Sequence, residues 1–252
     1  MIRALLAPML LLLTAAAEPV LVPDVSEREV EIRYSYSGTD FLLFGAILYP
    51  GGRVPTDRVD VAVVLKGPVQ SVLVREKQKL AGLIWANAAS ARFRSAPSFY
   101  AIASSRPLDQ IVDARTAAIY ELGLPNIHLS PASANEAPER VRFQEGLVDL
   151  RARGGLYYAR PGTVDISQGV LYRARLAIPP RVPVGRYTAE TFLIRNGKVV
   201  AVAERPIEVR KEGFERFVVE ASRSAPLAYG LTAVALSVLL GWGAGALFRR
   251  MA

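Results

Sequence analysis

His128 is the single histidine of the chain, and so the only side chain whose ordinary pKa suits proton transfer near neutral pH. It lies in Pro125-Asn-Ile-His-Leu-Ser-Pro131, a proline-bounded connector between two helical patterns. Local hydrogen bonding is the role expected of such a residue, with general-base catalysis as the alternative. Cysteine is absent, and the three methionines are Met1, Met9 and Met251. Disulfides, thiolate metal sites, cysteine nucleophiles and iron–sulfur clusters are thereby excluded. Copper and haem lack their usual soft ligands in the long middle of the chain.

Nucleotide and hydrolase signatures fail at named positions. A phosphate loop needs Gly-x4-Gly-Lys, and the only Gly-Lys pair, Gly197-Lys198, has Phe192 where the first glycine belongs. Gly241-Trp-Gly-Ala-Gly245 is glycine-rich but follows no strand. Gly-x-Ser-x-Gly, Ser-x-x-Lys and His-Glu-x-x-His do not occur. The acids are scattered, and spacing singles out no carboxylate pair. No catalytic residue, metal or cofactor is expected.

Charge is patterned in blocks. Lys66 to Arg106 holds seven basic residues and one acid, and Arg140 to Arg186 holds nine and three. Residues 18 to 65 and 107 to 139 are acidic, with four bases against eight acids and one against five. If the basic blocks meet, Arg75, Lys77, Lys79, Arg92, Arg94, Arg173 and Arg175 form a patch for a small anion, an acidic partner or anionic headgroups. Solvated strand faces are the plainer reading of the same residues.

The ends of the chain explain its composition. Of 252 residues, 51% are hydrophobic and 21% charged, and the mean hydropathy is +0.23. Residues 1–17 read as a secretory signal: Arg3, an apolar stretch from Ala4 to Leu13, and Ala15-Ala16-Ala17 as a cleavage site. Ser224 to Phe248 is an uncharged run between Arg223 and Arg249. As a helix this run is about 37 Å long at about 1.5 Å per residue, against a hydrocarbon core of about 30 Å. The expected division is a signal at 1–17, an exported β-rich domain at 18–211, a juxtamembrane helix at 212–223, a span at 224–248 and a cytoplasmic tail at 249–252. Export leaves no nucleic-acid partner to expect, and the bilayer itself is the first partner.

Within the span, Ala233, Ser237, Gly241 and Gly245 recur every four residues. Such a small-residue stripe lets a second helix approach closely, and the expected helix partner is a second copy or a multi-spanning permease.

Strand patterns fill the exported part. Val30, Ile32, Tyr34 and Tyr36 alternate with polar residues, and Val59, Val61, Val63 and Leu65 repeat the same two-residue spacing. Phe41 to Leu48, Ser71 to Lys77, Ser98 to Ala103 and Tyr172 to Leu176 are further strands. Helical spacing then predicts helices at about 107–122 and at about 136–153, the second introduced by the capping-box spacing of Ser133 and Glu136, with Phe143, Leu147 and Leu150 on its face. Asn196-Gly197 between strand-like runs predicts a tight hairpin. The fold class expected is mainly β, an immunoglobulin-like β-sandwich with a two-helix insertion and one C-terminal transmembrane helix. Pro183-Val-Gly-Arg-Tyr187 looks like the lead into a late strand of such sandwiches.

Phe44 to Tyr49, Val63 to Pro68, Ile84 to Asn87, Phe99 to Leu108 and Pro183 to Tyr187, with the layout of signal and single span, resemble the alphaproteobacterial family of putative transmembrane proteins. The resemblance implies an inner-membrane protein with a periplasmic domain and a cytoplasmic C-terminus, and brings no catalytic residues. The function expected is that of a non-enzymatic accessory or interaction subunit of a membrane complex such as a transporter. A membrane-tethered binding module for an anionic ligand or lipid surface is the alternative.

Overall fold

The computed structural model describes residues 19–26, 29–32, 39–80, 83–132, 136–211 and 214–251. The signal expected at 1–17, Tyr34, Tyr36, Ser133 and positions 212 and 213 lie outside the described residues. In chain order the strands are β1 (Val20–Val25), β2 (Glu29–Ile32), β3 (Thr39–Leu48), β4 (Val59–Lys66), β5 (Val69–Leu80), β6 (Ile84–Pro97) and β7 (Tyr100–Ser104). They continue with β8 (Ser130–Pro131), β9 (Tyr157–Pro161), β10 (Val164–Ser167), β11 (Leu171–Ile178), β12 (Gly185–Arg195) and β13 (Lys198–Lys211). The α-helices are α1 (Leu108–Ile111), α2 (Ala114–Ile119), α3 (Ala137–Arg153), α4 (Phe214–Ser224) and α5 (Pro226–Met251).

The chain is mainly β and layered. A six-stranded sheet, β2-β13-β12-β4-β7-β9, forms the middle layer. The four-stranded sheet β1-β3-β11-β10 covers one of its faces, where Phe41, Leu43, Ile47, Tyr172, Ala174 and Leu176 pack against Val61, Val63, Leu65, Ala189 and Leu193. The three-stranded sheet β5-β6-β8 covers the other face together with α1, α2 and α3. There Ala62, Val64, Ile102, Phe192 and Ile194 meet Ala91, Phe93, Phe143 and Leu147.

This arrangement changes the reading of β4. Alternation makes Val59, Val61, Val63 and Leu65 one buried face, yet Ala62 and Val64 are equally buried on the opposite face. Sheets on both sides leave β4 no wet face, and a continuous apolar run answers that demand.

Two helical expectations are also corrected. The helix expected over 107–122 is split into α1 and α2, because Asp113 adopts an extended conformation and its carboxylate accepts the Thr116 N–H at 2.6 Å. Glu136 occupies the N-cap of α3 without a side-chain bond, so it does not act as the third position of a capping box. Phe143 and Leu147 are buried as expected, whereas Leu150 is 63% exposed.

Local chemistry fixes the late hairpin and the sandwich interior. Asn196 and Gly197 have φ of 51° and 79°, the two positive values that a type I′ turn requires. The Tyr187 hydroxyl, fully buried, donates to the Pro183 carbonyl at 2.7 Å, which ties the start of β12 to the turn before it. Gly45 is needed for another reason. A Cβ there would lie 2.5 Å from the Tyr172 hydroxyl and 2.5 Å from the Val22 carbonyl oxygen, so only glycine lets that ring cross β3.

The C-terminal helices break where the hydrogen-bond ladder fails. Ala225 separates α4 from α5, and Pro226, with no N–H to donate, opens α5.

Candidate functional site

The β5–β6 hairpin gathers the first five expected cations. Val72 and Val74 alternate inward against the second core cluster, beside Ala89, Ala91 and Phe93. The alternate residues Leu73, Arg75, Lys77, Lys79, Arg92 and Arg94 are exposed on the outer face. Register places Leu73 opposite Arg92 and Lys79 opposite Trp85. The one acid between residues 69 and 97 is Glu76, which turns inward and accepts from Arg142 of α3 at 2.9 Å. The outer face is thus wholly cationic among its charged groups.

Beyond Glu76 the hairpin outruns its support. Lys77, Gln78 and Lys79 are exposed on both faces of the ribbon, and Leu83, Ile84 and Trp85 are 85%, 68% and 62% exposed. The Lys79 ammonium lies 5.4 Å from the centroid of the Trp85 ring, within cation–π range. Sequence reasoning missed this tip. Its signal is Leu83-Ile84-Trp85 in a stretch from 77 to 94 that has four cations and no acid.

Arg173 and Arg175 do not join this group. They alternate with buried Tyr172, Ala174 and Leu176 and project from the outer face of the four-stranded sheet, on the other side of the middle layer. The one patch expected of both basic blocks is two separate surfaces. Arg173 is in register with Phe44, and Leu171 with Ala46. Val20, Val22, Phe44, Leu48 and Leu171 make the neighbouring part of that face apolar and exposed.

Buried charge is concentrated at the two ends of β4. At one end Asp60 accepts from Ser105 Oγ at 2.8 Å and from Arg106 Nε at 2.9 Å, beside a hollow of about 460 Å³ lined by Asp57, Arg58 and Gln168. Burial pushes the Asp60 pKa up, but the Arg106 and Ser105 hydrogen bonds outweigh it and hold the carboxyl below its ordinary value. At the other end Lys66 Nζ lies 3.0 Å from both Glu121 and Glu190. Burial acts to lower the Lys66 pKa, and the two carboxylates reverse that and raise it. Burial raises Glu190 above the ordinary carboxylate range despite the lysine.

His128 belongs to this second cluster. Its Nδ1 is 2.8 Å from Glu121 Oε1, and Glu121 itself has φ of 54°. Tyr100 holds that backbone in place, donating to the Glu121 carbonyl at 2.6 Å and accepting from the Gly123 N–H at 3.0 Å. The cluster ties the α2–α3 connector to β4 and β12. Among the described residues no group of three or more His, Asp or Glu side chains is placed to hold a metal ion.

The helix α5 contains the candidate span, Pro226–Ala244, with mean hydropathy 1.6 and no burial against the domain. Ala233, Ser237, Gly241 and Gly245 lie along it. The Ser237 hydroxyl donates to the Ala233 carbonyl at 2.8 Å and so needs no outside partner. A Cβ built at Gly241 meets nothing within 4 Å. That leaves the described part of the stripe open to another helix.

A β-layered domain followed by an unburied apolar helix, the single candidate span among the described residues, defines a class of membrane proteins. The chain belongs to the family described as "Putative transmembrane protein (Alph_Pro_TM)", whose model matches residues 20–250. No curated protein and no solved structure matches it.

Proposed function

We propose that the protein is a single-pass inner-membrane subunit whose β-domain lies in the periplasm and whose C-terminus is cytoplasmic, acting without catalysis beside a membrane complex such as a transporter. The leader at 1–17 exports the domain and α5 retains it. The observation that carries this reading is the exposed apolar face of the four-stranded sheet, with Val20 opposite Leu48 and Leu171 beside Ala46. An exposed sheet face of this kind marks a protein interface. The open stripe on α5 supports the same role inside the bilayer.

The test is photo-crosslinking in native membranes from probes at Leu171 and Ser237. One partner protein captured from both positions supports the subunit role; adducts to lipid alone from both overturn it. Alkaline-phosphatase fusions at Lys211 and Ala252 should be active and inactive respectively, and the reverse pattern overturns the orientation.

The cationic outer face of the β5–β6 hairpin favours a second activity, recognition of an anionic surface.

A further inference from the structure

We propose that the tip of the β5–β6 hairpin is a second membrane contact, which places Leu83 and Ile84 among the acyl chains and Trp85, Lys77 and Lys79 at the headgroup level of an anionic bilayer. The proposal rests on the reading of α5 as a span, since that anchor keeps the domain beside lipid.

Four observations on the hairpin point to lipid as the occupant. The first is geometry: the pairs from Lys77–Asn87 to Leu80–Ile84 extend past the last residue bonded to α3. At about 3.4 Å per residue they reach about 13 Å. That reach exceeds the roughly 5–10 Å by which interfacial elements sink into the headgroup boundary.

The second is the order of side chains along the ribbon. Leu83 and Ile84 are at the end, Lys79 stands level with Trp85, and Lys77 stands two residue pairs behind them. A membrane interface has the same order, with Trp at the headgroup level and Lys stems extending their ammonium groups back toward water. Protein interfaces are depleted in lysine, and where they do meet cations the partner presents complementary negative potential. Lipid phosphates meet them without any such pairing.

The third is charge. The stretch from 77 to 94 has four cations and no acid, while the one acid of the hairpin, Glu76, is turned away to Arg142. Each cation near an anionic leaflet strengthens docking. The fourth is the Lys79–Trp85 contact at 5.4 Å. It holds the indole beside its own ammonium, so ring and charge reach the interface together.

Tethering makes a weak contact sufficient. A domain held by α5 samples the leaflet at high effective concentration, so three apolar side chains and two lysines can hold a docked state that a free domain would not.

The sequence supplies its own probe, because Trp85 and Trp242 are its two tryptophans, one at the tip and one in the candidate span. The full chain is reconstituted as Trp242→Phe, leaving Trp85, and as Trp85→Phe, leaving Trp242. Vesicles contain phosphatidylcholine alone or with phosphatidylglycerol, with acyl chains brominated near the headgroup. The expected result is blue-shifted Trp85 emission that bromine quenches with phosphatidylglycerol present. Adding Lys77→Gln and Lys79→Gln should lower the docked-to-undocked ratio roughly 30-fold, about five-fold per lysine.

Quenched Trp242 with unquenched, water-like Trp85 overturns the hairpin contact and leaves the span standing. Both residues unquenched overturns the span reading instead. Blue-shifted Trp85 that bromine does not quench means the tip is covered by protein, and overturns the proposal. Quenching that ignores both phosphatidylglycerol and the lysines overturns the role given to the charges.

Discussion

Asp60 and Lys66 stand at opposite ends of β4, each closing one end of the buried strand with a charged cluster. Between them Val61 to Leu65 are fully buried. The apolar strand is therefore held at each end by ion pairs and polar contacts that also bind the connecting loops: Ser105 and Arg106 at one end, Glu121 and His128 at the other.

Acid should weaken the Asp60 end. The folded-state pKa of Asp60 is depressed, so its contribution is fully present above the unfolded value of about 3.9 and is lost as pH falls through the lower folded value. Urea titrations of the detergent-solubilised chain across that acid range should show stability dropping in wild type and a flatter profile in Asp60→Asn. Parallel profiles would remove the ion pair as a source of acid sensitivity.

Removing Lys66 should hurt more than removing one of its acids. Lys66→Met leaves Glu121 and Glu190 half-buried without their shared cation, at a cost of about 1–2 kcal/mol after allowing for solvent. Glu190→Gln leaves Lys66 paired with Glu121 and removes the carboxylate whose ionisation burial opposes. Thermal melts followed by circular dichroism should place Lys66→Met below Glu190→Gln, and the opposite order would contradict the cluster as described.

Tyrosine ionisation reports the interior. Burial pushes Tyr157 and Tyr158 up to about 12, and both hydroxyls donate to backbone carbonyls, of Pro97 and Ala177 respectively. An ultraviolet pH titration of the folded chain should show a fraction of phenolate absorbance delayed beyond the ordinary value of about 10. Tyr158→Phe should reduce that delayed fraction.

Gly45→Ala tests the crossing of Tyr172 over β3. The added methyl meets a ring and a carbonyl at 2.5 Å, and overpacking of this kind costs about 1–3 kcal/mol. A denaturation midpoint equal to that of wild type would show that the ring moves aside freely.

Gly241→Leu with Gly245→Leu tests the stripe on α5. The bulkier side chains should abolish a crosslinked or co-purified assembly without displacing the chain from the membrane. An assembly that survives them does not use this face.

Local signals carried the parts of the fold that were legible in the sequence. Asn196-Gly197 announced its hairpin because positive φ at two successive residues is a local demand. The apolar length of α5 announced itself in the same way. Partners distant in sequence hid the rest. The unbroken apolar run Val61 to Leu65 suits a strand covered on both faces but does not say which elements cover Ala62 and Val64, and Ala86 to Ala91, with no β-branched residue, gave no hint of the outer half of β6. The cations were legible one by one. Their division between two outward faces depended on which sheet each strand joined, which single-strand patterning does not encode.

The burial of β4 also sets a timetable. One of its edges is paired with β12, which begins about 120 residues further along the chain. At roughly 5–20 residues per second, a chain emerging N-terminus first keeps Val-Ala-Val-Val-Leu with an unsatisfied backbone edge for about 6–24 s. Long-range pairing of this kind is slow to close and invites the wrong strand in the meantime. The nascent protein therefore depends on whatever shelters that edge until its last hairpin arrives.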